Sequence, residues 1–235
     1  MSHLFLNHAE HLRPWFNSTP KHDFNVGYDY NHESAHTKYF CKRVFKYWVE
    51  EFKIDGFRLD LSKGYTQNYS LGSLSQWNTY DLGRINILKE YANHIWSTHP
   101  DTYIILEHFA DNSEETELAN FGFMLWGNMH HEYSEASMGY GGDFTSAVYS
   151  NRGWAFPHLV SYMESHDEER CMYKNLNYGN YNETYDIRNF DIALDRLKLA
   201  YTFMMLVPGP KMLWQFGELG YNYPINLCED ESSVS

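Results

Sequence analysis

Segments with helical periodicity alternate with short apolar runs that end in charged residues, and this alternation constrains the fold more than any other feature of the chain. Phe40, Val44, Trp48 and Phe52 recur every four residues between Thr37 and Lys53, which predicts an amphipathic helix. That helix runs straight into the strand-like stretch Ile54-Asp55-Gly56-Phe57-Arg58-Leu59-Asp60. A second helix is expected over Asp81–Thr98, with Leu82, Ile85, Leu88, Tyr91, Ala92 and Ile95 on one stripe and a stop at His99-Pro100 before Tyr103–Leu106. Phe121–Trp126 reads as a third strand and His158–Met163 as a fourth. A long helix, Asp191–Leu206, turns Ala193, Leu197, Ala200, Tyr201 and Met204 inward, breaks at Pro208 and leads to a fifth strand near Leu213. Strands alternating with helices of this length predict an α/β fold of parallel βαβ units, and a (β/α) barrel is the natural fit. A full barrel takes about 250 residues, so five strands predict part of one.

Carboxylates mark the ends of these runs. Side chains alternate along a strand, so Arg58 and Asp60 share one face while Phe57 and Leu59 share the other. An arginine beside an aspartate favours the ionised carboxylate, as a nucleophile requires, although an isolated pair of this kind is more often structural. Glu107 ends the Tyr103–Leu106 run, and His166-Asp167 follows the His158–Met163 run. Singly, Glu107 reads as a cap for the helix beginning near Ser113, and Asp167 as a turn residue. Jointly, three strands delivering three carboxylates fit a parallel barrel, whose active site lies at the carboxyl ends of its strands.

The residues resemble the α-amylase family of glycoside hydrolases. Gly56-Phe57-Arg58-Leu59-Asp60, Glu107 after its strand, and His166-Asp167 are similar to that family's second, third and fourth signature regions, in the family's order. Pro208–Gly220 resembles the segment entering and leaving the last barrel strand, and Phe24–Ser34 the return from the protruding second domain. The resemblance implies a (β/α)8 barrel of which about the last five units are present. It places the end of the second domain at 1–36, the partial catalytic barrel at 37–225 and a polar tail at 226–235. The first three strands and the first signature region have no counterpart, since Asn7-His8-Ala9 has too little chain before it; a fragment or truncated product is therefore expected.

The resemblance implies retaining hydrolysis of α-glucosidic bonds in starch-like α-glucans or maltooligosaccharides. Asp60 would be the nucleophile, Glu107 the acid and base, and Asp167 the group binding sugar hydroxyls, with Arg58, His166 and Lys63 binding substrate or pinning the acids, and Arg170 in a similar minor role. Glu107, rising from an apolar strand among other acids, is expected to have a raised pKa. Two other readings stand beside this one: a catalytically inactive carbohydrate-binding or vestigial product, and a branching enzyme or transglycosylase with the same three acids.

Composition narrows the partners. A formal charge of -13 argues against nucleic acid, and no apolar run is long enough, at about eighteen residues, to predict a membrane helix. Aromatics make up 18% of the residues, and Tyr28, Tyr30, Tyr65, Tyr69, Trp77, Tyr80, Trp126 and Tyr140 are candidates for stacking on pyranose rings, each with ordinary packing as its alternative. Cys41, Cys171 and Cys228 form no C-x-x-C pair. His8-Ala9-Glu10-His11 and His130-His131-Glu132 lack the spacing of a helical zinc site, so no metal ligands are assigned. Calcium enters as a cofactor by resemblance alone, with the family's usual asparagine lacking a counterpart and Lys63-Gly64 standing where Lys-His is usual. Compartment and oligomeric state are left open.

Overall fold

The computed structural model describes residues 15–24 and 29–225. The motifs Asn7-His8-Ala9 and His8–His11, the Asn25–Tyr28 part of the expected return segment, Cys228 and the tail from Asn226 lie outside those residues. The chain divides into two compact units, which meet in sequence between Leu125 and Trp126.

The first unit contains helix α1 (Ala35–Phe52), strand β1 (Gly56–Leu59), a 3-10 turn (Ser62–Gly64), helices α2 (Leu74–Asn78) and α3 (Leu82–Trp96), strand β2 (Tyr103–Leu106), helix α4 (Asn112–Phe121) and the start of strand β3 (Met124–Asn128). Asp81 starts α3 by accepting hydrogen bonds from Gly83 N at 2.8 Å and Arg84 N at 3.3 Å. β1 pairs with β2 in parallel, Gly56 opposite Tyr103 and Leu59 opposite Leu106. A Cβ at Gly56 would collide with the Tyr103 carbonyl oxygen, so this register needs the glycine. β2 in turn pairs in parallel with the first residues of β3. Ile85, Leu88, Ala92, Ile104, Leu106, Leu118 and Phe123 form the buried interior.

Two expectations are corrected here. Phe121 closes α4 rather than opening the third strand, because Gly122 takes φ 131° and ends the helix; the strand starts at Met124. On α1, Phe40, Trp48 and Phe52 are exposed, and the stripe turned inward is one residue on, Thr37, Cys41, Phe45 and Val49. Phe45 meets Phe57 of β1 and Tyr91 of α3 edge-on at 5.0 and 5.7 Å.

The second unit holds the remainder of β3, helix α5 (His130–Met138), two 3-10 turns (Thr145–Ala147 and Tyr149–Arg152), strand β4 (Leu159–Tyr162), and helices α6 (Cys171–Tyr178) and α7 (Phe190–Leu206). β4 is buried throughout and follows β3 in the strand order β1-β2-β3-β4. Met129, Tyr133, Met163, Cys171, Met172, Ala193, Leu197 and Met204 pack as its core, with Ala200 and Tyr201 of the expected α7 stripe partly buried against them. The expected fifth strand near Leu213 is reduced to one parallel bridge, Ser161 with Lys211, made by Ser161 N to the Pro210 carbonyl and Met212 N to the Ser161 carbonyl. Pro208 and Pro210 have no N–H to extend that ladder on its amino-terminal side.

Candidate active site

Parallel register sets two of the candidate acids side by side. Leu59 pairs with Leu106, Glu107 N donates to the Leu59 carbonyl at 3.1 Å, and Asp60 and Glu107 therefore leave neighbouring strands at one level. Arg58 forms ion pairs with both, Nη1 with Asp60 Oδ1 and Nη2 with Glu107 Oε2. The two carboxyls differ in environment, since the Asp60 side chain is 75% exposed and that of Glu107 12%. Burial pushes the Glu107 pKa up; the Arg58 cation opposes that shift, and the Asp60 carboxyl within hydrogen-bonding reach adds to it. The direction is the one expected of a general acid.

Behind the pair lies a buried polar chain that sequence reasoning missed. Ser62 N donates to the Glu107 carbonyl at 2.9 Å, and Ser62 Oγ lies 2.9 Å from the same oxygen. Ser62 Oγ also meets His108 Nδ1 at 2.9 Å, His108 Nε2 meets Glu114 Oε1 at 2.7 Å, and Arg84 grips Glu114 through Nε at 2.6 Å and Nη2 at 2.8 Å. Burial pushes Glu114 up, but hydrogen bonds from His108 and Arg84 outweigh it and hold the carboxylate below its ordinary range. Burial lowers the His108 pKa. The available signal was Glu114 in the first turn of α4, which reads in sequence as a helix-dipole acid and is instead fully buried.

Lys63 is placed within this network and away from solvent. Its ammonium donates to Asn78 Oδ1 at 2.6 Å and to the Phe109 carbonyl at 2.9 Å, and lies 4.1 Å from the centre of the Trp77 ring. Burial, followed by the nearby Arg84 cation, lowers its pKa to about 8. Lys63, expected to bind substrate or pin the acids, thus ties strand-end loops together and is turned away from solvent. Trp77 and Trp126 are buried, and Tyr65 stacks on His32 at 3.7 Å, so these three are packing residues, whereas Tyr69, Tyr80 and Tyr140 stay exposed.

In the second unit, the turn after β4 presents His166 and Asp167 to solvent, His166 Nε2 lying 3.3 Å from Asp167 Oδ2. The His166 ring lies between Trp126 and Trp214, at 6.1 and 5.9 Å. Asp167 N donates to Ser165 Oγ at 3.1 Å, which fixes the turn. Arg170 is buried and donates to Glu164 Oε2 at 3.2 Å and the Gln215 carbonyl at 2.9 Å, so it anchors Glu164 rather than a candidate catalytic acid.

Among the described residues no group of three or more His, Cys, Asp or Glu side chains has the arrangement of a metal site. At Lys63-Gly64 the local oxygens of Asn78 and Phe109 are taken by the lysine ammonium, so these residues do not fit the calcium implied by resemblance, and no chemistry is assigned to that ion. No helix among the described residues is long and apolar enough to cross a membrane.

Known proteins are similar to this chain in sequence and in fold. The 1,4-alpha-glucan branching enzyme GlgB of Salinibacter ruber is 23% identical over 195 residues, covering 74% of this chain and 29% of that enzyme. A pullulanase from Anoxybacillus sp. LM18-11, solved with maltotriose, superposes with a TM-score of 0.64 at 19% identity, over 88% of this chain and 30% of its own. An Anoxybacillus alpha-amylase gives a TM-score of 0.64 at 20% identity, over 93% and 46%. This chain thus spans less than half the length of each, and its fold is part of a barrel of the (β/α)8 type. The description "Alpha amylase, catalytic domain" matches residues 21–232, nearly the whole chain, which therefore belongs to the alpha-amylase catalytic-domain family.

Proposed function

We propose that this chain carries the retaining machinery for cleaving α-glucosidic bonds in starch-like α-glucans or maltooligosaccharides, in a partial catalytic barrel over 37–225. The observation that carries this reading is the shared grip of Arg58 on an exposed Asp60 and a partly buried Glu107 at adjacent strand ends. Exposure and the guanidinium suit Asp60 to attack as a carboxylate, forming a glycosyl-enzyme, while the raised pKa of Glu107 suits it to protonate the leaving oxygen and then activate water. In a retaining enzyme the two carboxyls stand about 5–5.5 Å apart across the reacting carbon, the separation that a sugar bound between Asp60 and Glu107 requires. Asp167 and His166 supply a solvent-facing acceptor and donor for sugar hydroxyls. Likeness to a branching enzyme supports a second reading, in which a sugar hydroxyl takes the place of water as acceptor.

The test is release of reducing sugar from soluble starch and maltooligosaccharides by the chain, with Asp60→Asn purified in parallel. Loss of turnover by at least about 10³-fold in the variant is expected if the nucleophile is assigned correctly. Full activity in Asp60→Asn rules the assignment out. Longer products alongside shorter ones would identify transfer.

A further inference from the structure

We propose that His108 is a positioning residue for Glu107, closing a buried ring of polar side chains that fixes the two strand-end turns bearing Asp60 and Glu107. This rests on the catalytic reading above and extends it to residues that touch no substrate. The ring runs from Ser62 Oγ to His108 Nδ1, from His108 Nε2 to Glu114, from Glu114 to Arg84, and from Arg84 Nη1 to the Lys63 carbonyl at 3.2 Å, next to Ser62 again. A cross-link from Lys63 Nζ to the Phe109 carbonyl joins the same two turns. His108, Glu114, Arg84 and Ser62 are all buried.

Backbone conformation shows what the ring holds. Leu61, directly after Asp60, has φ 44°, and Phe109, directly after His108, has φ 52°. Side-chain-bearing residues avoid this left-handed region and persist there only when surrounding contacts over-determine them. Leu61 adjoins Asp60 and Phe109 lies two residues past Glu107, and Leu61 N also points at Glu107 Oε2, 3.5 Å away. Proton counting makes His108 specific to this role. Glu114 already accepts from Arg84 and from Asp81 N at 2.8 Å, so it is an acceptor toward His108, which must donate from Nε2. A neutral ring then leaves Nδ1 as an acceptor for the Ser62 hydroxyl, and Ser62 N remains as the donor to the Glu107 carbonyl. Phenylalanine has the shape for this site and neither nitrogen.

The experiment compares wild type, His108→Phe, Ser62→Ala and Glu107→Gln on two substrates: a maltooligosaccharide, and an aryl α-maltoside whose phenolate leaves without protonation. A general acid matters only for departure of the poor leaving group, a step that kcat/KM reads, so Glu107→Gln should lose far more kcat/KM on the first substrate than on the second. His108→Phe should show the same asymmetry in kcat/KM, by about 10- to 100-fold, because a displacement of about 1 Å is enough for such a loss. Equal losses on both substrates, or none, overturn the positioning role. If Glu107→Gln itself shows no asymmetry, the catalytic reading has failed. The midpoint of the Glu107 carboxyl, followed by carbon NMR in isotopically labelled protein and assigned through Glu107→Gln, gives an answer independent of turnover. A fall toward the ordinary glutamate value in His108→Phe supports the ring, and an unchanged midpoint overturns it. Should His108→Phe not fold, Ser62→Ala, which removes one hydroxyl, is read by the same two criteria.

Discussion

Helices α1 and α3 precede adjacent parallel strands and are both amphipathic in sequence, yet they differ in what covers them. α3 buries Ile85, Leu88, Ala92 and Ile95, whereas α1 leaves Phe40 41%, Trp48 44% and Phe52 57% exposed. α3 contacts α1 and also α4, and its strand β2 pairs with β1 and with β3. Among the described residues α1 finds its main helical partner in α3, and β1 pairs with β2 alone. Successive helix residues are turned by about 100°, so Cys41, Phe45 and Val49 lie beside Phe40, Val44, Trp48 and Phe52 on one broad apolar face. Within the first unit only half of that face is covered. Periodicity tells that a helix has an apolar side; the count of neighbours decides how much of it is buried.

The largest test of this contrast is truncation on each helix. Leu88→Ala on α3 should cost about 2–5 kcal/mol, through lost burial and a cavity with little freedom to collapse. Trp48→Ala on α1 removes a larger side chain but should cost under about 1 kcal/mol, because much of it already meets water. Urea unfolding of the two variants measures both. A Trp48→Ala loss as large as that of Leu88→Ala would mean that the outer stripe is packed after all.

A second effect sharpens the contrast from the inner side of α3. His32 Nδ1 meets the Tyr91 hydroxyl at 2.9 Å, and burial, followed by the Lys38 cation, lowers the His32 pKa to about 3. Its folded pKa lies below its unfolded value of about 6.5, so the unfolded chain binds the proton more readily. The contribution is therefore complete above pH 6.5 and is lost as pH falls toward 3, by up to about 1.4 kcal/mol per pH unit. The difference in unfolding free energy between wild type and His32→Phe, measured at pH 7 and pH 5, should shrink or change sign on acidification. A constant difference would show that His32 is protonated without penalty and that this side of α3 is open to water.

The same physics explains what was legible in the sequence. The order of helices and strands, the proline stop after α3 and the strand ends at Asp60 and Glu107 follow from local periodicity and from Gly and Pro, which act within a few residues. The Arg58–Asp60 pairing follows from strand alternation, whereas the Arg58–Glu107 contact depends on the β1–β2 register, which no local pattern specifies. His108, Glu114 and Arg84 were illegible because each is an ordinary polar residue in its own segment; only the packing of α3 and α4 against the strand ends brings them together. The shortened fifth strand shows the converse, an apolar run whose neighbouring prolines limit its ladder to one bridge.

The smallest effect is the most direct probe of the uncovered stripe. Phe52 ends α1 and touches Trp48 and Tyr47, with ring centres 4.6 and 5.8 Å away, both of them exposed. Phe52→Lys gives up part of that aromatic contact, and places a cation where the helix dipole favours one by about 0.3–1 kcal/mol. The two changes should cancel to within about 0.5 kcal/mol, while a charge beside an apolar face and an edge strand should reduce self-association. Sedimentation across a concentration series reads the second, and thermal unfolding the first. A destabilisation beyond about 1 kcal/mol would require a partner surface on Phe52 in the protein as it exists in solution, and α1 would then be as enclosed as α3, with its cover supplied from outside the residues that pack against its inner stripe.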